Sequence, residues 1–213
     1  MMAFAVKPGA RIALVLSGAI FAASAAVAQV PTEGQILDAL TPKPATRSLS
    51  TAPAAQPRPG NADEAAFLDS LKSATTRSLS TGERERLSTI AEGKPSIDLD
   101  IPFGLNSATI SAKARPIVNA LGAALSRPAL KEGTFMIAGY TDARGSDELN
   151  QRLSERRAAS VRHYLIQKFK IPPQSLITVG YGKTHLKFKD KPNANENRRV
   201  QATNLSEVKS ASR

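Results

Sequence analysis

Residues 138–161, AGYTDARGSDELNQRLSERRAASV, run from an apolar strand through a charged turn into a long amphipathic pattern. At about 100° per residue, Leu149, Leu153, Val161 and Leu165 fall on one stripe. The pattern predicts a helix from Ser146 or Asp147 to about Phe169, packed against a sheet. Arg157 lies in the middle of that stripe, with Asn150 within about 20° of it on the same wheel. A guanidinium among core-facing leucines requires an anionic partner, because an unpaired buried charge is costly. Asp142, at the mouth of the preceding strand, is the nearest candidate in sequence. Two arrangements follow from position alone. The pair could bridge turn to helix and stabilise the fold, or it could face a ligand that carries both charges.

Four strands and two long helices account for the C-terminal half. Residues 97–103 (IDLDIPF) alternate apolar and polar, as a strand with one buried face does. Ser111 is placed to cap a helix whose core face would carry Ile117, Val118, Leu121 and Leu125. Thr134 to Tyr140, Leu176 to Tyr181 and Arg199 to Leu205 read as further strands. Pro172 and Pro173 stop the long helix pattern. The order β-α-β-α-β-β predicts an α+β two-layer sandwich, a mixed sheet with helices on one face. Each helical crossover should join parallel strands.

The stretch GYTDARGSDELNQRLSERRAASV, with Asn197-Arg198-Arg199-Val200 later in the chain, resembles the signature of the OmpA C-terminal family. That family supplies peptidoglycan-binding modules to outer-membrane porins, Pal lipoproteins and flagellar stator (MotB) proteins. The resemblance covers roughly residues 97–206 and rests on Thr141-Asp142, Gly145, Asn150, Leu153-Ser154 and Arg157-Ala158 in order. It implies that Asp142 accepts the ammonium group of diaminopimelate in the peptidoglycan stem peptide. Arg157 would then grip a carboxylate of the same residue in two-point fashion. Thr141, Asn150, Leu153 and Arg198 match neighbouring positions and are expected to line the pocket. Amides in the first turn of the long helix could add donors. The chain departs from the pattern in two places. Its LKFKDKPNANENRRV lacks the usual Gly-Arg ahead of Asn-Arg-Arg, and Leu105-Asn106 stands where aromatic-Asp is commoner.

Residues 1–28 are expected to be a secretory signal: Lys7 and Arg11, an apolar run from Ile12, and Ala26-Val27-Ala28 before Gln29. A retained membrane anchor is the alternative, although the run is short for a bilayer and holds no acidic residue for a stator role. Residues 29–95 are expected to form a flexible, basic, Pro/Ala/Ser-rich region, closing on a short helical pattern from Gly82 to Glu92 marked by Arg84, Leu87 and Ile90 and ended by Gly93 and Pro95. Within it TRSLST occurs at 46–51 and again at 76–81, and ILDAL at 36–40 echoes FLDSL at 67–71. The echo marks either short helices that dock an envelope protein or a fortuitous likeness. The OmpA-like domain is expected over 96–206 and a disordered tail over 207–213.

The sequence has no cysteine, which excludes disulfides, thiolate chemistry and lipid attachment through cysteine. Its formal net charge is +11, or +9 without Lys7 and Arg11. Such a surface favours polyanions. Export and few aromatics argue against nucleic acid. His163 and His185 are the only histidines, and neither accompanies a nucleophile motif. No enzyme activity, metal or organic cofactor is expected. A wall hydrolase and a plain protein-interaction module are the competing classes. The expected location is the periplasm, in association with the cell wall or outer membrane.

Overall fold

A computed structural model describes residues 30–42, 62–73 and 78–206. The segments expected to be a signal and a tail, and the first TRSLST copy, lie outside them. In chain order the elements are α1 (Glu33–Leu40), α2 (Ala62–Ser73), α3 (Thr81–Ala91), β1 (Ser96–Leu99), α4 (Arg115–Leu125), β2 (Phe135–Gly139), α5 (Asp147–Phe169), β3 (Leu176–Gly180) and β4 (Val200–Asn204).

The four strands form one mixed sheet in the order β1-β4-β2-β3. β2 and β3 pair in parallel, and β4 pairs antiparallel with both β1 and β2. Each helical crossover, through α4 and through α5, therefore joins strands of the same direction, as expected for such connections. β1 ends at Leu99, short of the expected Phe103, because the Ile101 N–H folds back onto the Leu99 carbonyl at 3.0 Å. Ser111 does not cap α4. Its hydroxyl accepts from the Ala114 N–H at 3.3 Å in a preceding turn, and the helix begins at Arg115. Pro116 thus sits in the first turn, where its missing N–H leaves no bond unmade.

One face of the sheet carries Leu99, Phe135, Ile137, Leu176, Val200 and Ala202, packed against α4 and α5. This is the expected helix layer. α1 joins it: Ile36 and Leu40 are fully buried there, Asn204 Nδ2 donates to the Leu40 carbonyl at 2.9 Å, and Arg127 pairs with Glu33. The opposite face carries Met136, Ala138, Tyr140, Ile177, Val179 and Tyr181. Leu68 and Leu71 of α2, Leu79, and Leu87 of α3 cover it. A third layer therefore lies on the face expected to be free of helices. The α+β class stands, and α3 falls on the helical pattern of Gly82 to Glu92, but the expectation of a flexible region over 29–95 does not hold for α1 and α2. Capping boxes, Thr32 with Gln35 and Ser80 with Glu83, start α1 and α3, and their leucines reach the sheet.

Candidate functional site

The charged turn after β2 and the first turns of α5 meet because two glycines let the helix approach the sheet. A Cβ at Gly139 would collide with the Ser154 carbonyl, and one at Gly180 would lie 2.5 Å from Ser154 Oγ. Side chains stitch the contact. Gln151 Nε2 donates to the Gly180 carbonyl at 2.7 Å, and the Gly182 N–H donates to Ser154 Oγ at 2.9 Å. Ser146 caps α5, its hydroxyl accepting from the Leu149 N–H at 3.3 Å. That amide is therefore not available to a ligand. Gly145 takes φ +86°, the left-handed conformation this tight turn requires.

These contacts open a cleft of about 480 Å³ lined by Phe103, Leu105, Asn106, Thr141, Asp142, Arg144, Gly145, Leu149, Asn150, Leu153, Arg157, Asn195 and Arg198. All six residues singled out from the sequence are among them. Asp142 and Arg157 are both buried, at 7% and 5% exposure. They do not form the internal bridge that sequence position allowed. Asp142 Oδ2 instead accepts from Arg198 Nη1 at 2.9 Å, and its Oδ1 accepts from the Arg144 N–H at 3.2 Å.

Arg157 is held by neutral partners. Its Nε donates to the Ser107 carbonyl at 3.1 Å and its Nη2 to the Gly104 carbonyl at 3.4 Å. The guanidinium also lies 5.0 Å from the centroid of the Phe103 ring. Burial lowers the Arg157 pKa, the charge of Arg198 adds to that, and Asp142 opposes it. An arginine stays protonated regardless, so the direction means that the site favours an arriving anion. Arg157 retains N–H donors beyond the two bonds, and each Asp142 oxygen keeps a lone pair.

Asn150, buried, donates through Nδ2 to the Arg144 carbonyl at 2.7 Å and braces the turn. Thr141 Oγ1 is buried without a hydrogen-bond partner on the wall of this cleft. Leu153 is half-buried at the edge. Leu149, expected in the core, is 61% exposed. The reason is helical geometry. Each four-residue step overshoots one turn by about 40°, so the line from Leu149 to Leu165 winds through about 160°. The face that α5 buries is Asn150, Ser154, Arg157, Ala158, Val161 and Leu165. Leu149 is left at the cleft mouth. Arg144 and Asn195 had no apolar period or motif to mark them.

On the other side of the sheet Arg199 stacks over Tyr140 at 3.8 Å and its Nε bridges Asp98 at 3.2 Å. Adjacent arginines of the Asn-Arg-Arg-Val run thus serve opposite faces. Burial pushes the Tyr181 phenol up to about 12 and raises Tyr140 as well, so both stay neutral. Among the described residues no group of three or more His, Asp or Glu side chains could hold a metal ion. No helix there is long and apolar enough to cross a membrane.

A mixed-sheet α+β domain with a charged cleft between the β2 turn and the start of α5 is the class that fold and site define. Residues 102–199 match the model of the OmpA family. Over that stretch, a little under half of the chain, the sequence is similar to the OmpA family. It is 41% identical over 83 residues to outer membrane protein A of Serratia marcescens, covering 39% of this chain and 23% of that protein. Against outer membrane protein A of Escherichia fergusonii it is 41% identical over 86 residues, covering 40% and 35%. The chain thus spans about a quarter to a third of these relatives. Among solved structures, the OmpA-like domain of FopA1 from Francisella tularensis aligns at 24% identity and a TM-score of 0.44, covering 53% of this chain and 76% of that one.

Proposed function

We propose that this protein binds peptidoglycan non-covalently through the diaminopimelate of the stem peptide and so holds an exported protein to the cell wall. The observation that carries this reading is the gathering of Asp142, Arg157 and Arg198 in one cleft of a domain similar to the OmpA family. Diaminopimelate presents an ammonium and a carboxylate on one carbon. A buried carboxylate with spare lone pairs suits the first, and a buried guanidinium with spare donors suits the second.

Arg198 gives the clamp a competitor. An incoming ammonium must share Asp142 with it, while the ligand carboxylate relieves the repulsion between Arg198 and Arg157. Carboxylate binding by the arginines and ammonium binding by Asp142 are therefore coupled. With Arg144 also on the rim, cations outnumber anions in the cleft, which favours a ligand bearing more carboxylate than ammonium.

The protein acts in the periplasm, at the wall or outer membrane, as a binding module rather than an enzyme. The residues before the domain remain candidates for engaging an envelope protein partner. Isothermal titration with the soluble stem tripeptide tests the reading. Binding is expected for the diaminopimelate form. A lysine-containing tripeptide, which lacks the distal carboxylate, should bind at least tenfold more weakly. Equal affinity for the two would overturn the clamp.

A further inference from the structure

The run between β3 and β4 is one of the two places where the chain departs from the OmpA-family pattern, and hydrogen bonds build it. Asn197 is fully buried at its base. Its Oδ1 accepts from the Phe188 N–H at 2.9 Å, and its Nδ2 donates to the Lys191 and Pro192 carbonyls at 3.0 and 3.1 Å. The Ala143 N–H donates to the same Pro192 carbonyl at 3.0 Å, so the loop is fastened one residue from Asp142. Asn195 and Arg198, on either side of Asn197, line the cleft itself.

This loop holds out an apolar ring between lysines. Phe188 is 39% exposed, and Lys189 and Lys191 are exposed with no ion-pair partner among the described residues. Lys187 is engaged by Asp98 at 2.7 Å, and Asp190 lies between the two free lysines. Among the described residues the exposed large apolar side chains are Val30, Leu105, Leu149 and Phe188. Leu105 and Leu149 line the cleft and Phe188 stands on the loop fastened beside it. Apolar surface thus stands both at the cleft mouth, on Leu105 and Leu149, and on the loop whose far end, Asn195 to Arg198, lines that cleft.

We propose that Phe188, Lys189 and Lys191 form a second contact surface for the same wall polymer. They would take the acidic glycopeptide segment next to the clamped diamino acid, a stem carboxylate on the lysines and the apolar face of a sugar on Phe188. The proposal rests on the clamp reading. The argument is charge complementarity together with covalent continuity. The loop meets the cleft at Asn195 and Arg198 and is tied to Ala143 through Pro192, so a polymer seated on Asp142 and Arg157 would hold its next residues at high local concentration near the loop, and a weak contact there would add to overall affinity. The buried Asn197 fixes the loop beforehand, which lowers the ordering cost of binding.

The test compares two ligands on the full chain. For Phe188→Ser and for Lys189→Ser combined with Lys191→Ser, affinity for intact sacculi is expected to fall roughly tenfold. The lysine variant should also show a weaker salt dependence. Titration with free diaminopimelate, which fills only the cleft, should be unchanged. Wild-type affinity for sacculi in both loop variants, with Asp142→Ala binding abolished, would overturn the loop proposal and leave the clamp. Loss of diaminopimelate binding in the loop variants would also overturn it, because the loop would then merely shape the cleft. Wild-type sacculus binding by Asp142→Ala would remove the clamp reading, and this proposal with it.

Discussion

Leu40→Ala examines whether the segment before the OmpA-family match belongs to the folded unit. Leu40 is fully buried between α1, α4 and the sheet, in one cluster with Leu99, Leu121, Phe135 and Val200. Truncating a buried leucine costs about 2–5 kcal/mol, the lost transfer energy plus the cavity left behind. The bond from the Asn204 side-chain Nδ2 to the Leu40 backbone carbonyl survives the substitution, so about 3 kcal/mol is the reasonable expectation. In a domain of this size each kcal/mol lowers Tm by about 2–4 °C, giving a fall of about 6–12 °C. Thermal unfolding of the full chain by circular dichroism reads it. Asp38→Ala, on the exposed side of the same helix, is the control and should lie within about 0.5 kcal/mol of wild type. A Leu40→Ala Tm within 1 °C of the control would mean that α1 is not docked in solution, and the fold described above would be wrong at that point.

Three further outcomes are expected. Gly180→Ala places a methyl against Ser154 and Glu155, so α5 must shift; urea denaturation should show a loss of about 1–3 kcal/mol, and unchanged stability would refute the close approach. His185 has its pKa lowered by burial, then by Arg199 and Lys189, against a smaller opposite effect of Glu85. The unfolded chain therefore binds its proton first. Stability should fall as pH drops below about 6.5, and His185→Gln should flatten that limb; an unaltered pH profile would contradict it. A double-mutant cycle on Asp142→Ala and Arg198→Ala should give a coupling of about 0.5–1.5 kcal/mol, modest because Arg198 is 38% exposed. Additive effects would dissolve the pair.

Much of the domain was legible in its periodicities. β2, β3 and β4 matched alternating apolar runs to within a residue or two, and α5 began and ended where Ser146 and the two prolines placed it. Arg157 and its neighbour Asp142 were legible as site candidates because a guanidinium on a core-facing stripe is anomalous. Its partners were not legible. Arg157 is satisfied by the carbonyls of Gly104 and Ser107, some fifty residues away, and backbone acceptors carry no residue-type signature. α1 was legible only as one of two readings of the ILDAL echo, and its docking on the sheet was not legible, for a different reason. It is eight residues long, its propensity is diluted by a Pro-rich context, and its stability comes from tertiary burial. Its Thr32-x-x-Gln35 box and the four-residue spacing of Ile36 and Leu40 were the available signals. The docking of α2 and α3 on the second sheet face has the same origin, because a sheet whose outer face carries Met136, Tyr140, Ile177 and Tyr181 requires a cover.

The most direct test of the central claim is co-sedimentation of the full chain with intact sacculi at low and high salt. Asp142→Ala and Arg157→Ala are carried alongside, each checked for folding by circular dichroism. Wild-type binding should persist in high salt, since a buried clamp is screened far less than surface charge, and each substitution should abolish it. Binding that disappears in salt and is indifferent to both substitutions would reduce the interaction to a basic surface on an anionic polymer and contradict the clamp.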